Sequence, residues 1–310
     1  MLWKKYILLQ QNNFKLKKGK EMRRNFFKKA SLVVLALATA TTLSANQAPW
    51  PKEITFGLIP VAGSSGMEEQ FGPMRKYLED KLGIKVKMQV SSDYTGVITG
   101  MAHKHIDVAY LGPKSYVEAA KRANADAIAV ELNAEGIPGY YGYIISKKGS
   151  GLKTIEDLKG KTWAFTDPQS TSGTLVPTVL FSKKGINPQK YFSKVIYSGS
   201  HESSILAVKA GKVEAAATND LDFKRGLGRH WNKDDFNIIN VSDLIPGSPM
   251  VVRKDLPESL KMALKGAFIA YKPSKESALK SKGYVNGDDA MFDTVRELIK
   301  LKNELKKKNK

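Results

Sequence analysis

Residues 161–184 have the sequence KTWAFTDPQSTSGTLVPTVLFSKK, in which a short apolar run is followed by a polar turn and a second apolar segment. Residues 161–166 combine β-branched and aromatic side chains, which is typical of a strand. Residues 170–184 have the spacing of a helix, which Gly185 ends. A strand, a short polar turn and a helix in this order predict an α/β protein.

The same alternation continues on both sides of this segment. Gly83 closes one predicted helix, and Thr154 with Asp157 forms a capping-box pattern at another. Strands that alternate with helices favour parallel β-α-β construction. Strands are predicted at 53–60, 84–90, 106–111, 141–146, 161–166, 194–197, 213–218, 236–241 and 250–253, and helices at 67–82, 93–101, 112–122, 154–158, 170–184, 201–210, 257–271 and 288–308.

The alternation restarts after Gly139, which indicates two α/β lobes joined by two chain crossings. We assign residues 46–141 and 247–310 to the first lobe and residues 142–246 to the second. The crossings are expected near 140–145 and 242–249, and the C-terminal helices are expected to return to the first lobe. The length suffices for two ordinary domains, at about 150 residues each.

Residues 1–45 predict an export signal rather than part of the fold. Residues 22–29 are basic, residues 30–43 are apolar, and small residues up to Ala45 suggest cleavage after that position. Met22 is a second candidate start, which would make residues 1–21 an extension. Paired arginines allow the twin-arginine route, although the general secretory route is favoured. Either route predicts a periplasmic protein.

The composition excludes several classes of protein. The chain has no cysteine, so it offers no disulfide, thiolate nucleophile, thiolate zinc site, iron–sulfur cluster or lipid-anchoring cysteine. The formal net charge is +20, but six of the lysines follow residue 299. A basic helix end of this kind is usually solvated. No aromatic and basic module of the nucleic-acid type is present, so nucleic acid is not an expected partner.

Residues 167–174, Asp-Pro-Gln-Ser-Thr-Ser-Gly-Thr, carry the residues of greatest chemical interest, and we call them the hydroxyl turn. One hydroxyl group could simply cap the following helix. Alternatively, Ser170, Thr171 and Ser172 could bind an oxyanion together with the free N–H groups and positive end of that helix. Gly173 would let a ligand approach the backbone, and the absence of a lysine excludes a nucleotide P-loop. The residues alone leave both interpretations open.

The hydroxyl turn, extended to residue 177, resembles the signature of periplasmic phosphonate-binding proteins of ABC importers. Other segments resemble that family in the same order: SDYTGVI at 92–98, DVAYLGPKS at 107–115, GYY at 139–141, GSHE at 199–202, ATN at 217–219 and LIPGSP at 244–249. The resemblance covers nearly all of residues 53–300. It implies a type II periplasmic binding protein, whose two α/β lobes close by a hinge on a ligand held between them.

The resemblance also implies a set of ligand-binding residues. The hydroxyl groups of Ser170, Thr171 and Ser172 would hold the phosphonate oxygens, and His201 would donate to one oxygen from the next helix of the same lobe. Two tyrosines of the first lobe and the hinge would close the pocket, and a third is a lesser candidate. These are Tyr94 and Tyr140, with Tyr110 as the third.

Two positions depart from family members that take aminoethylphosphonate. Asp222 replaces a glutamate, and Ser248 replaces an aspartate, at the positions that contact the ligand amine. A buried amine needs carboxylate partners to offset its desolvation. Alkylphosphonates and phosphite therefore become credible ligands beside aminoethylphosphonate.

The expected function is that of a monomeric binding protein that delivers a phosphonate-type anion to the permease of an ABC importer. A periplasmic sensor domain would have the same sequence features, and an enzyme on the same fold is a weaker alternative because no nucleophile elbow is present. His103 and His105 are typical of surface residues rather than metal ligands. Neither a cofactor nor a metal is expected.

Overall fold

Two β-sheets form the centre of the protein, which the computed structural model describes from residue 49 to residue 308. The predicted export signal at 1–45 lies outside the described residues. No described helix is both long and apolar enough to cross a membrane. In chain order the strands are β1 (Glu53–Leu58), β2 (Lys85–Val90), β3 (Val108–Tyr110), β4 (Ala125–Leu132), β5 (Gly139–Lys147), β6 (Thr162–Phe165), β7 (Lys194–Tyr197), β8 (Ala215–Asn219), β9 (Phe236–Pro246), β10 (Pro249–Arg253) and β11 (Gly283–Asn286).

Within residues 49–308, nine α-helices flank the sheets, together with short 3-10 helices at Glu156–Leu158, Lys233–Asp235 and Asp289–Phe292. One helix begins with a π-helical turn, Thr171–Leu175, which continues directly into α4. In chain order the α-helices are α1 (Ser64–Leu82), α2 (Tyr94–Ala102), α3 (Pro113–Arg122), α4 (Val176–Lys183), α5 (Pro188–Tyr191), α6 (His201–Lys209), α7 (Asp220–Arg225), α8 (Glu258–Ala270) and α9 (Asp293–Lys308).

The first lobe is built on a six-stranded sheet in the order β11-β4-β10-β3-β1-β2. β1 is parallel to β2 and β3, whereas β10 is antiparallel to β3 and β4, and β11 is antiparallel to β4. The second lobe is built on a five-stranded sheet in the order β7-β6-β8-β5-β9. Here β6 is parallel to β7 and β8, and β5 is antiparallel to β8 and β9.

Alternate side chains of β1 pack the first sheet against two helices. Ile54, Phe56 and Leu58 are buried on one face, as the period of two in a strand requires. The ring of Phe56 lies 6.3 Å from that of Phe71 on α1 and 6.2 Å from that of Phe268 on α8. The helices that precede β2 and follow β10 in the chain therefore cover the same face.

The expectation of parallel construction is correct for β1 to β3 and β6 to β8 but wrong for β5 and β10. Residues 133–138 and 247–248 carry the chain between the sheets. Each crossing delivers the chain to the edge of a sheet that faces the other lobe. The β5 and β10 strands therefore run away from the edge at which β1, β3, β6 and β8 end, which makes them antiparallel to their neighbours.

Two strands and two α-helices were not predicted: β4, β11, α5 and α7. In β4 the apolar run is interrupted by Asp126 and Glu131, and Glu131 is nevertheless almost fully buried. Its charge is paired with Arg225, which lies 94 residues away in the chain. A pattern of apolar residues cannot reveal a strand whose buried carboxylate is paired only after folding.

Candidate anion-binding site

Thirteen residues from both lobes enclose a cavity of about 20 Å³, on a scale where one water molecule takes about 10–15 Å³. The cavity lies at the edge where β1, β3, β6 and β8 end, as ligand sites of open α/β sheets do. Its size suits a small polar ligand. The lining residues are Ile59, Val61, Tyr94, Tyr110, Gly112, Tyr140, Ser170, Thr171, His201, Asn219, Leu221, Asp222 and Ser248.

Five helices begin at the wall of this cavity. Tyr94 and His201 are the first residues of α2 and α6, while Gly112, Ser170 and Asn219 are the N-cap residues of α3, the π-helical turn and α7. The N-terminus of a helix carries a partial positive charge and N–H groups that lack an intrahelical partner. Five such ends around one cavity form an environment that stabilises an anion.

The hydroxyl turn forms the part of the wall that belongs to the second lobe. Ser170 caps the turn, because its Oγ accepts a hydrogen bond of 3.0 Å from the N–H of Gly173. The π-helical geometry follows from the 3.1 Å bond that the N–H of Leu175 donates to the carbonyl of Ser170. A Cβ at residue 173 would lie 2.1 Å from Oγ1 of Thr166, so this close approach requires glycine.

Thr171 and Ser172 hold different places relative to the cavity. Thr171 lines it, and its Oγ1 accepts a 2.8 Å hydrogen bond from the N–H of Lys114 at the start of α3 in the other lobe. Ser172 does not line it. Its Oγ lies behind the wall, 3.4 Å from Nδ2 of Asn219. The structure thus places two of the three predicted hydroxyl groups at the cavity itself.

His201 presents one edge of its ring to the cavity and the other to the sheet. Nδ1 lies 3.3 Å from Oγ1 of Thr218 and 3.5 Å from Oγ1 of Thr166, whereas Nε2 lies 3.4 Å from Oγ of Ser170. Burial lowers the pKa of His201, and the nearby carboxylate of Asp222 opposes this effect. The ring is therefore neutral near pH 7.

Three buried tyrosines form much of the remaining wall. Burial raises the pKa of Tyr94, Tyr110 and Tyr140, so all three hydroxyl groups keep their protons. The hydroxyl of Tyr110 donates a 2.8 Å hydrogen bond to Oε2 of Glu131. The hydroxyl of Tyr94 is buried and has no hydrogen-bond partner among the described residues. Because Tyr94 lines the cavity, this hydroxyl is available to a ligand bound there.

Asp222 and Ser248, two of the candidate binding residues, line the cavity, and Asp222 is already paired. Its Oδ1 accepts a 2.8 Å bond from Nη1 of Arg225, and its Oδ2 accepts a 2.8 Å bond from Nδ2 of Asn219. Nη2 of Arg225 lies 2.6 Å from Oε1 of Glu131 in the other lobe. We call Glu131, Arg225 and Asp222 the ion-pair cluster.

The sequence did not reveal Gly112, Asn219 or Leu221 as residues of the cavity wall, nor Ile59 and Val61. Gly112 and Asn219 could have been found from the sequence, because each stands at the junction of a strand and a helix inside a segment that resembles the family. The apolar wall residues had no sequence feature that distinguishes them, since an apolar residue that follows a strand is more often part of the core.

Two histidines were interpreted from the sequence as surface residues rather than metal ligands. His103 and His105 are exposed and stack on one another with ring centres 6.4 Å apart. Within residues 49–308, no group of three or more histidine and carboxylate side chains is placed to hold a metal ion.

Comparisons with known proteins identify the relatives of this chain. Residues 56–292 match the family described as "ABC transporter, phosphonate, periplasmic substrate-binding protein". The Phosphonates-binding periplasmic protein of Escherichia coli K12 is 32% identical over 287 residues, which cover 88% of this chain and 84% of that protein. The Phosphate-import protein PhnD of Mycolicibacterium smegmatis is 29% identical over 259 residues, 77% of each chain.

A solved structure supports the same relationship. The binding-protein component of an ABC phosphonate transporter from Pseudomonas aeruginosa has a TM-score of 0.79 and 31% sequence identity. The likeness covers 83% of this chain and 89% of that one. Together with the two sheets, it confirms the predicted fold of two α/β lobes.

Proposed function

The chain belongs to the family of phosphonate-binding periplasmic substrate-binding proteins of ABC transporters, and from this premise we propose that its cavity captures a small phosphonate-type oxyanion. Members of this family serve transporters and are not enzymes. The candidate ligands are alkylphosphonates, phosphite and aminoethylphosphonate. Related chains are named for phosphonate and for phosphate, so family membership leaves the ligand to be decided by the site.

The convergence of five helix N-termini on one cavity carries this proposal. Among the described residues of the wall, no lysine or arginine is present, so an anion would be held by neutral donors and helix ends. Ser170 and Thr171 would bind ligand oxygens directly, and His201 and Tyr94 would donate from opposite lobes. Ser172 would support Asn219 from behind the wall.

Hinge closure follows from the distribution of these donors between the lobes. The lobes already meet through hydrogen bonds from Lys114 N–H to Thr171 and from Gly63 N–H to Glu202, the latter 2.6 Å long. Tyr94 lies on the first lobe and the hydroxyl turn on the second, so a ligand reaches both only when the cleft is shut. Such a ligand shifts the population toward the closed form.

The remaining parts of the proposal concern the setting of the protein. Export would be directed by residues 22–45, followed by cleavage after Ala45, and the mature chain would act as a monomer. The closed protein would then deliver its ligand to the permease of the transporter in the inner membrane.

Calorimetric titration of the mature protein against methylphosphonate, phosphite, aminoethylphosphonate, phosphate and sulfate tests the proposal. We expect at least one of the phosphorus oxyanions to bind, and we expect methylphosphonate or phosphite to bind at least as well as aminoethylphosphonate. Failure of all the phosphorus oxyanions would refute the proposed function. Aminoethylphosphonate binding orders of magnitude more tightly than the two small ligands would refute the proposed ligand class.

Small-angle scattering tests the closure separately. The radius of gyration of ligand-free protein is expected to decrease on addition of saturating ligand. An unchanged radius, starting from a sample shown to be ligand-free by native mass spectrometry, would contradict hinge closure while leaving the binding site intact.

A further inference from the structure

The acidic side chain in the cavity wall imposes a requirement on any anion that binds there. This inference rests on the proposed function. Among the described lining residues, Asp222 is the one acidic side chain, and the wall contains no lysine or arginine beside it. The basic partner, Arg225, lies behind Asp222 and does not line the cavity.

The hydrogen bonds of Asp222 are those of a carboxylate. Nη1 of Arg225 donates to Oδ1 and Nδ2 of Asn219 donates to Oδ2, each over 2.8 Å. A guanidinium N–H and an amide N–H can only donate, so the oxygens that they reach act as acceptors. Both carboxylate oxygens of Asp222 therefore act as acceptors, although each still has a free lone pair.

A fully ionised phosphonate has only acceptors on its three oxygens. Nε2 of His201 lies 3.4 Å from Oγ of Ser170 and 3.9 Å from Oδ2 of Asp222, so an oxyanion held by Ser170 and His201 places an oxygen beside Asp222. Two acceptors, both negatively charged, repel one another unless a proton lies between them. We propose that Asp222 accepts a hydrogen bond from a protonated oxygen of the ligand, so that the site takes phosphonate monoanions and rejects sulfonates of the same shape.

The other groups that face Asp222 do not supply this proton near pH 7. Nε2 of His201 on α6 lies 3.9 Å from Oδ2, and burial lowers the pKa of this ring. Arg225 is engaged with both Asp222 and Glu131 of β4, and burial raises the pKa of Glu131 even against that pairing. The remaining neighbours are tyrosines whose pKa is raised by burial: Tyr94 of α2, Tyr110 of β3 and Tyr140 of β5.

A comparison of methylphosphonate with methanesulfonate distinguishes the need for a protonated ligand oxygen from an effect of ligand shape. Both are tetrahedral, with three oxygens and one methyl group. Phosphate-type groups lose their last proton at a pH of about 6, so about a tenth of the ligand still carries a proton on oxygen at pH 7 and a larger share does so at lower pH. A sulfonate has no such proton under these conditions.

The first test uses the wild-type protein and calorimetric titration near pH 7. Methylphosphonate is expected to bind about 10- to 100-fold more tightly than methanesulfonate, the factor that corresponds to one hydrogen bond to a charged group. Equal affinities would overturn the inference while leaving the proposed function in place. Binding of neither ligand, nor of any other phosphorus oxyanion, would instead refute the proposed function and the inference with it.

The second test follows affinity between pH 6 and pH 9. Above the last ionisation of the ligand, affinity for methylphosphonate is expected to fall about tenfold per pH unit, as the monoanion is depleted. Affinity for methanesulfonate is expected to stay constant. Parallel changes for both ligands would assign the pH dependence to the protein, His201 above all, and would overturn the inference.

The third test replaces the carboxylate. Asp222→Asn offers an N–H donor, so we expect discrimination between the two ligands to fall about 10-fold or more and the pH dependence to flatten. Asp220→Asn is the matched control, because Asp220 is buried on the same helix, accepts from the N–H of Tyr141 and does not line the cavity. Unchanged discrimination in folded Asp222→Asn protein, or an equal loss in the control, would overturn the inference; if Asp222→Asn does not fold, the two wild-type tests still decide.

Discussion

The hydroxyl turn and the ion-pair cluster are both buried between the lobes, yet they use their hydrogen-bonding groups in opposite ways. In the ion-pair cluster, Arg225 joins Glu131 of one lobe to Asp222 of the other, and the charges are satisfied within the protein. The hydroxyl turn holds no charge at its tip, between Ser170 and Ser172, and shares the cavity with Tyr94, whose hydroxyl has no hydrogen-bond partner in the described part of the chain. Neutral donors are thus left for a ligand, while paired charges are used to join the lobes.

This difference has an energetic reason. A buried charge costs several kcal/mol unless it is paired, so a protein that must bind and release an anion does not keep a free cation in its cavity. Hydroxyl groups, backbone N–H groups and helix ends cost far less when they are exposed in an open cleft. The comparison therefore predicts large stability effects in the ion-pair cluster and large affinity effects in the hydroxyl turn.

The largest effect is expected for Arg225→Met. This change leaves the carboxylate of Glu131, 1% exposed, without its cation. We expect the free energy of unfolding to fall by about 3–5 kcal/mol, measured by urea denaturation. Arg229→Met is the control, because the Arg229–Glu69 pair is exposed and such pairs contribute about 0–1 kcal/mol. An equal loss of unfolding free energy in the two variants would contradict the expected difference between buried and exposed ion pairs.

The next effect concerns binding at the hydroxyl turn. Thr171→Ala is expected to lose about 1.5–3 kcal/mol of binding free energy, because Thr171 lines the cavity. Ser172→Ala is expected to lose only about 1 kcal/mol, because its hydroxyl acts through Asn219. Calorimetry measures both, and Thr174→Ala, whose hydroxyl donates to the carbonyl of Asp167, is the control. Wild-type affinity in both Thr171→Ala and Ser172→Ala would show that the turn only caps its helix.

A smaller effect is expected for selectivity. Ser248→Asp adds a carboxylate to the cavity wall, where Asp222 is already paired with Arg225. We expect the preference for aminoethylphosphonate over methylphosphonate to rise by about 1.5 kcal/mol, the lower end for a charge-assisted bond. Ser248→Asn is the control, because asparagine is similar in size to aspartate but carries no charge. It is expected to leave the preference for aminoethylphosphonate over methylphosphonate unchanged. The same shift in both variants would attribute it to size alone.

The smallest effect is the pH dependence contributed by His201. Its pKa is lowered by burial, so on acidification the unfolded chain takes up the proton first, at a pH of about 6.5. Stability is therefore expected to fall as the pH drops below this value, by at most about 1.4 kcal/mol per pH unit.

Urea denaturation at about pH 7, 6 and 5 measures this slope in the wild-type protein and in His201→Gln. The variant is expected to show the smaller loss. His230→Gln is the control, because the side chain of His230 is 48% exposed. A wild-type slope in His201→Gln would show that other groups account for the acid sensitivity.

Local features of the fold were determined by the sequence alone. Gly83 adopts the left-handed conformation that ends α1, with φ of 67°, and Asp157 accepts from the N–H of Thr154 in the expected capping box. One of the three hydroxyl groups was expected to be able to cap the turn, and Ser170 does so. These features depend on residues within a few positions of one another, whose distances are set by the chain itself.

The eight candidate site residues were also found from the sequence, through their resemblance to a family rather than through their spacing. The structure brings seven of them to one cavity and places Ser172 behind its wall. Their binding roles remain predictions for the experiments above.

Only the tertiary structure decided which residues share the cavity and what charge they bring to it. Glu131 and Arg225 are 94 positions apart and belong to different lobes, so their pairing depends on how the lobes pack, whereas Asp222 and Arg225 are three positions apart on one helix. The direction of β5 and β10 and the meeting of five helix ends depend likewise on the order of strands in the two sheets. Sequence patterns report the period of a segment and the groups that it offers, whereas partners distant in the chain are chosen by the packing of sheets and lobes.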